Sequence, residues 1–311
     1  MKQFPILLRR EFWEHRNTFI VLPGVVAGFI ILVMVGLFVA SGFTSVNAHI
    51  SISGDNESEE WQFDADHESM DEAIGFMLSN LRHMTEAGRE HNLFRVYHAL
   101  SVPFFIVLMV VILFYLLGTL YEDRKDRSIL FWKSMPVSDV ATVAIKLFTG
   151  LVAVPGVYLV CTAIVQVIFL LIATVAALGH DIEIFEMLWV PSNLVGRWFT
   201  DIAYLLLQAI WSLPMYGWML LISAFAKSVP FVWFLGIPIG ISIVERMVFG
   251  SGWISNWMAD HGSPTPHSFN AELQLADLTP YLASLNTFLG LLVGAGFIGG
   301  AIWLRGKGDE L

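Results

Sequence analysis

Six long apolar runs punctuate the chain, separated by shorter polar or charged stretches: Phe19 to Ala40, Leu100 to Leu120, Leu147 to Leu178, Ile202 to Ala226, Ser228 to Phe249 and Tyr281 to Leu304. A helix needs roughly 20 apolar residues to cross a hydrocarbon core of about 30 Å, so each run predicts a membrane span. The spans are taken as 18–41, 100–120, 147–178, 201–226, 228–249 and 281–304. The third is long enough to tilt or to kink near Pro155-Gly156. The fifth is interrupted by Glu245 and Arg246. This pair is read as an external interface just beyond Val244, with a polar cavity or an external gate as the functional alternative. The first run follows the charged segment FWEHRN and exceeds a signal-peptide core, which makes it a retained span.

Segments between the runs carry their own patterns. In residues 1–17, PILLRREFWEHRN places Ile6, Leu7, Arg10, Phe12, Trp13 and Arg16 as an interfacial amphipathic helix would, with Pro5 in its first turn. Residues 42–99 open on a polar stretch and continue as an apolar helix stripe, Met70, Ile74, Met77, Leu81 and Met84, extended by His91 and His98. Copper ligation is one reading of these Met and His side chains, but a seven-residue repeat spreads ligands along a line, so packing is the favoured one. The segment 179–200 mixes aromatic and acidic residues like an interfacial belt. The segment 250–280, with Trp253, Trp257, Asp260, His261, Pro264, Pro266 and His267, is read as a solvated loop rather than a metal cluster. Residues 305–311 form a short tail.

Composition agrees with the runs. Of the 311 residues 56% are hydrophobic and only 14% charged, too little polar surface to cover a water-soluble globule. The formal charge of −10 excludes a nucleic-acid binder that relies on a basic stripe. Most of that charge lies in segment 42–99, as a solvated acidic insert. The one cysteine, Cys161, forms no intrachain disulfide and argues against a cysteine-ligated zinc or iron–sulfur site. Twelve of the 17 basic residues, from Lys2 to Arg16, Arg124 to Lys146, Lys227, Arg305 and Lys307, fall on one side of the six spans. By the positive-inside rule that side is cytoplasmic and holds both termini.

Catalytic motifs are absent. There is no GxxxxGK[ST], HExxH, GxSxG or GxGxxG after a strand-like segment, and no paired acids or Ser/His pair at membrane depth. The chain is therefore not expected to be an enzyme, to bind a cofactor or metal, or to power transport by itself.

The most informative stretch lies in 121–146. YEDRKDRSILFWKSMPVSD begins with charges, passes through the apolar block Ile129, Leu130, Phe131, Trp132, and stops at Pro136 before returning to the membrane. Glu122, Arg124, Ser128, Ile129, Leu130 and Pro136 resemble the cytosolic coupling segment of ABC-2 type ABC transporter permeases, with Arg127 where that family usually has glycine. The resemblance extends to the layout of an N-terminal amphipathic helix, six spans and an insert between spans one and two. It implies an all-α membrane protein of the bacterial inner membrane. It also implies that Glu122, Arg124, Arg127, Ile129, Leu130, Phe131, Trp132 and Pro136 meet an ATPase subunit, present in two copies, which binds the ATP and Mg. A second permease chain, expected to be an identical copy, would complete the complex, with Gly24, Gly28, Gly236 and Gly240 permitting close helix approach. The implied activity is export or extraction of an amphipathic or hydrophobic substrate. The competing class is a membrane assembly factor or sensor acting through its acidic insert; a secondary transporter would need repeated halves, which the sequence lacks.

The charge asymmetry makes a direct prediction. In a Cys161→Ser background, a cysteine at Ser58 reacts with a membrane-impermeant thiol reagent added outside and one at Ser128 does not; the opposite pattern reverses the topology.

Overall fold

The computed structural model describes residues 3–41, 82–126, 137–178, 183–262 and 284–307, and among them every regular element is a helix. In chain order these are α1 (Gln3–Glu14), α2 (Leu22–Ser41), α3 (Glu86–Lys125), α4 (Asp139–Ala177), α5 (Leu194–Trp211), α6 (Leu213–Phe225), α7 (Pro230–Phe249), α8 (Trp253–Gly262) and α9 (Leu285–Gly306). Five stretches are long and apolar enough to cross a membrane: Asn17–Val39, α3, α4, α7 and α9. A sixth exists if Phe185–Trp211 and α6, bent by 57° where they meet, count as one span. Large apolar side chains such as Phe29, Leu32, Leu37 and Phe114 stand exposed along these helices, as lipid-facing residues do.

Several boundaries differ from the pattern of apolar runs. Helices α3 and α4 run well past the uncharged stretches, to Lys125 at the end of α3 and from Asp139 at the start of α4, because charged residues in these added turns, Asp123, Asp139 and Lys146, find partners in the interior. The fourth run is not one straight helix. It breaks at Ser212, ahead of Pro214, whose ring and missing N–H cannot continue the helix. Pro238, by contrast, sits inside an unbroken α7. The stretch read as a solvated loop contains α8, a ten-residue helix. Met70 to Leu81 of the apolar stripe lie outside the described residues.

Three expanded turns share one cause. The N–H of Leu22 bonds to Asn17 O, that of Val154 to Thr149 O and that of Val190 to Phe185 O, each reaching one residue further back than an α-helix does. Each donor immediately precedes a proline: Pro23, Pro155 and Pro191. A proline ring collides with the carbonyl four residues back, and widening the turn before it makes room without breaking the rod. The third run, read as long enough to tilt or to kink near Pro155-Gly156, carries one of these expanded turns just before that pair.

The chain divides into two compact units. One comprises Gly24–Ser101 and Cys161–Val195. Its core gathers Leu170, Ala177 and Leu188, with Tyr97 edge-on to Phe169 at 5.6 Å. Gln166, one of two amides in the apolar runs, is 2% exposed and donates to Ser101 Oγ at 3.2 Å, so its polarity is matched internally. The other unit comprises Met1–Pro23, Val102–Val160 and Gly196–Leu311. Here α6 lies along α9 in the most extensive helix pairing of the described residues. Glycine makes this possible: a Cβ on Gly217 would sit 2.8 Å from Gly294 O, and one on Gly294 would sit 3.0 Å from the Leu213 carbonyl carbon. Both obstacles are backbone.

Gly217→Ala therefore lowers thermal stability in detergent, by about 1–3 kcal/mol as overpacking does. Gly299→Ala, where nothing lies within 4 Å, leaves it unchanged; equal effects of the two would remove close backbone approach as the explanation.

Candidate functional site: a buried ion-pair network

Helix α1 is amphipathic in an unusual sense. Phe4, Ile6 and Trp13 are exposed, while the face turned inward carries Glu11, only 2% exposed, and leads to the fully buried Phe19. On α3, Tyr115, Thr119 and Asp123 follow at intervals of four and form one stripe. Asp139 opens α4, behind the Ser138 side chain that caps it at Ala141 N, and Lys146 lies two turns on. Arg305 occupies the last turn of α9.

These side chains converge in the unit that holds α1. Lys146 Nζ lies 3.2 Å from Glu11 Oε1 and 3.5 Å from Asp123 Oδ2, and donates to Thr119 Oγ1 at 2.7 Å and to Thr119 O at 3.3 Å. Tyr115 OH donates to Glu11 Oε2 at 2.9 Å. Arg305 Nη1 donates to Asp123 Oδ2 at 3.0 Å and its Nε to Asp139 Oδ1 at 3.1 Å. Three carboxylates thus face two cations, all buried except the more open Asp139. The position of Asp139 in the first turn of α4 and of Arg305 in the last turn of α9 suits the dipoles of both helices. His15 and Phe19 both pack edge-on to the Tyr115 ring and tilted against each other, closing the cluster on the α1 side.

The network stands on both sides of segment 127–136, singled out in the sequence. Arg124 and Glu122 are the members of the coupling segment among the described residues, whereas Arg127, Ile129, Leu130, Phe131, Trp132 and Pro136 lie outside them. Arg124 Nη2 donates to Ser223 O and to Ala226 O, both at 2.8 Å, and so caps the carbonyl end of α6. Ser223 Oγ in turn accepts from the amides of Leu120 and Tyr121. Glu122 is exposed.

Glu245 and Arg246 do different things from each other. The α7 helix continues through both, to Gly250, whose φ of +60° and N–H to Arg246 O end it in a left-handed cap. Glu245 is buried and accepts from Ile254 N at 3.0 Å, Ser255 N at 3.3 Å and Ser251 Oγ at 3.1 Å, which places its carboxylate on the free amides of the first turn of α8. Arg246 is exposed.

No group of three or more histidine, cysteine, aspartate or glutamate side chains is arranged to hold a metal ion among the described residues. Comparison with protein-family models, characterised proteins and solved structures finds no match for this chain. The network is therefore the candidate site on its geometry alone. Glu11, Asp123, Asp139, Lys146 and Arg305 were not singled out from the sequence as site residues.

Removing one member of a buried pair strands the other charge, at a cost of about 3–5 kcal/mol. Lys146→Met destabilises the protein by that order in detergent unfolding, and Glu11→Gln in the same chain restores part of the loss. Strictly additive effects would dismiss the Lys146–Glu11 pair as a source of stability.

Proposed function

We propose that this chain is the permease subunit of an ABC-2 type exporter, moving an amphipathic or hydrophobic substrate across or out of a bacterial inner membrane with both termini cytoplasmic. ATP is hydrolysed on a separate ATPase subunit, two copies of which bind the cytosolic face. The observation that carries the reading is the anchoring of the residues that flank segment 127–136. On one side Asp123, near the end of α3, is tied to Arg305 and Lys146, and on the other Asp139, at the start of α4, is tied to Arg305. A push on that segment is thereby delivered to α1, α3, α4 and α9 together, which is what a subunit driven from outside by a partner requires. An autonomous enzyme or channel has no need of it.

The few ionisable groups at mid-span suit an apolar or amphipathic cargo, since ion conduction calls for rings of charge or carbonyls. A second copy of the chain pairs through the first and fifth spans, and in support of this nothing lies within 4 Å of a Cβ placed on Gly24, Gly28, Gly236 or Gly240. Ile129, Leu130, Phe131 and Trp132 dock the ATPase. At about 25 cal/mol per Å² such a block supplies several kcal/mol before ordering costs. Glu122 is exposed and orients the contact, while Arg124 fixes the end of α3 to α6.

The test replaces Phe131 and Trp132 with Ser. In protein that still inserts and unfolds normally, ATPase pull-down and substrate-stimulated hydrolysis both fall at least about tenfold, the equivalent of 1.4 kcal/mol. Wild-type levels of both would leave the permease reading without its central contact.

A further inference from the structure

Glu11 and Arg305 are buried members of the ion network, 2% and 4% exposed, yet the residues two places to either side of each stand in the open. Around Glu11 these are Arg9 and Trp13; around Arg305 they are Trp303 and Lys307. Two positions turn a helix by about 200°, so the segment that points a charge inward points a cation and an indole outward. Helices α1 and α9 both pack on Asp139–Phe148 of α4, and their inward charges meet through Lys146, Asp123 and Asp139. Along either helix the flanking residues lie only about 3 Å from the network member, so both outward pairs share the level of the network. Their faces continue into apolar surface. On α9 the exposed positions run Phe288, Leu292, Ala295, Gly299, Trp303 and Lys307, at steps of three and four. At the other end of the chain they run Ile6, Arg9, Trp13, Arg16 and Ile20, the last already inside the spanning stretch Asn17–Val39. Each indole thus sits where lipid-facing surface gives way to charge, the place of interfacial tryptophan in membrane proteins.

We infer that this belt, Arg9, Trp13 and Arg16 on one segment with Trp303 and Lys307 on the other, is a binding surface for the phosphate headgroups of anionic phospholipids. Two of its cations are already placed by the indoles. Arg16 Cζ rests 5.8 Å from the centroid of the Trp13 ring, and Lys307 Nζ rests 4.3 Å from that of Trp303. Stacking on a ring fixes where a cation sits and leaves N–H groups for phosphate oxygens, which accept them as charge-assisted bonds. The acids nearest in sequence to Arg9 and Arg16 are engaged elsewhere: Glu11 is turned inward onto Lys146 and Tyr115, and Glu14 holds Arg10 at 3.1 Å. Each exposed Lys or Arg at a membrane surface adds to its attraction for anionic lipid. An acidic protein partner would meet the cations alone. A bilayer covers the cations, the indoles and the bare apolar faces that run on from them in one contact. The assignment holds whatever the chain transports.

The experiment places the full-length chain in nanodiscs of equimolar phosphatidylcholine and phosphatidylglycerol, extracts it gently and counts the lipids each chain retains by native mass spectrometry. Wild type is expected to retain phosphatidylglycerol at least about threefold over phosphatidylcholine, and a variant carrying Arg9→Gln, Arg16→Gln and Lys307→Gln to retain the two about equally. Arg9→Lys with Arg16→Lys keeps the charge and is expected to keep the preference. Equal retention by wild type overturns the inference, and so does a triple variant as selective as wild type. Inorganic phosphate added at constant ionic strength separates the two sources of this chemistry: the preference is expected to survive it, and its loss would make free phosphate the occupant and overturn the lipid assignment. Should the triple variant fail to insert, Arg9→Gln and Lys307→Gln are measured singly. Each is expected to lower the preference, and no change in either defeats the belt.

Discussion

A lysine ammonium taken out of water sets the terms for the rest of one compact unit. Lys146 sits at 2% exposure, and its charge is tolerable there only because two carboxylates and two oxygens of Thr119 surround it. Those oxygens come from different helices, so the requirement is geometric as well as electrostatic. Helix α1 must turn an acid inward, α3 must present its Tyr115–Thr119–Asp123 stripe, and α9 must extend far enough for Arg305 to balance Asp123 and Asp139. The interaction is therefore better understood as a constraint on helix placement than as a source of net stability, because a hydrophobic replacement of the whole set would cost little.

The prolines and glycines solve a second problem, how to shape long helices without exposing backbone polar groups to lipid. Unpaired N–H and C=O groups are expensive in hydrocarbon. At Pro23, Pro155 and Pro191 the helix absorbs the ring by an expanded turn, which keeps neighbouring amides bonded. At Pro214 it breaks instead, and side chains take up the slack: Gln208 Nε2 donates to Ser212 Oγ at 2.6 Å, and α9 closes on the break through Gly294. The break is thus tied to the close approach of α6 and α9 that its neighbouring glycines allow.

The helical, membrane-spanning class was legible in the apolar runs because burial in lipid is written as composition, and composition needs no partner. The ends of the helices were not. Uncharged runs stop at the first ionisable residue, whereas α3 and α4 continue because Asp123 and Lys146 answer each other across helices, information no single window contains. Lys146 and Arg305 counted in the sequence as topological charges and Glu11 lay hidden among arginines. The one available hint was the four-residue spacing of Tyr115, Thr119 and Asp123, a polar stripe at the end of an apolar run. Similarly, Asp260 and His261 look like loop residues beside Pro264. The helix that contains them depends on a cap from Glu245, which lies in a different helix, so local propensity understated it.

Helix α9 joins these features physically. Gly290 meets His261 near one end of it, Gly294 and Gly300 seat α6 along its length, and Arg305 enters the ion network at the other. At 1.5 Å per residue, Gly290 and Arg305 stand about 22 Å apart, and the described α9 has no proline between them. A helix so packed resists bending, since compressing either flank drives backbone against backbone where glycine has already brought the chains to their closest approach. Motion imposed on Arg305 through Asp123 and Asp139 is then taken up as a shift of the whole rod or as slip along the α6 seam, and both alternatives change the wall that Gly290 presents to His261. The two buried polar clusters are in this way mechanically adjacent although no side chain of one touches the other.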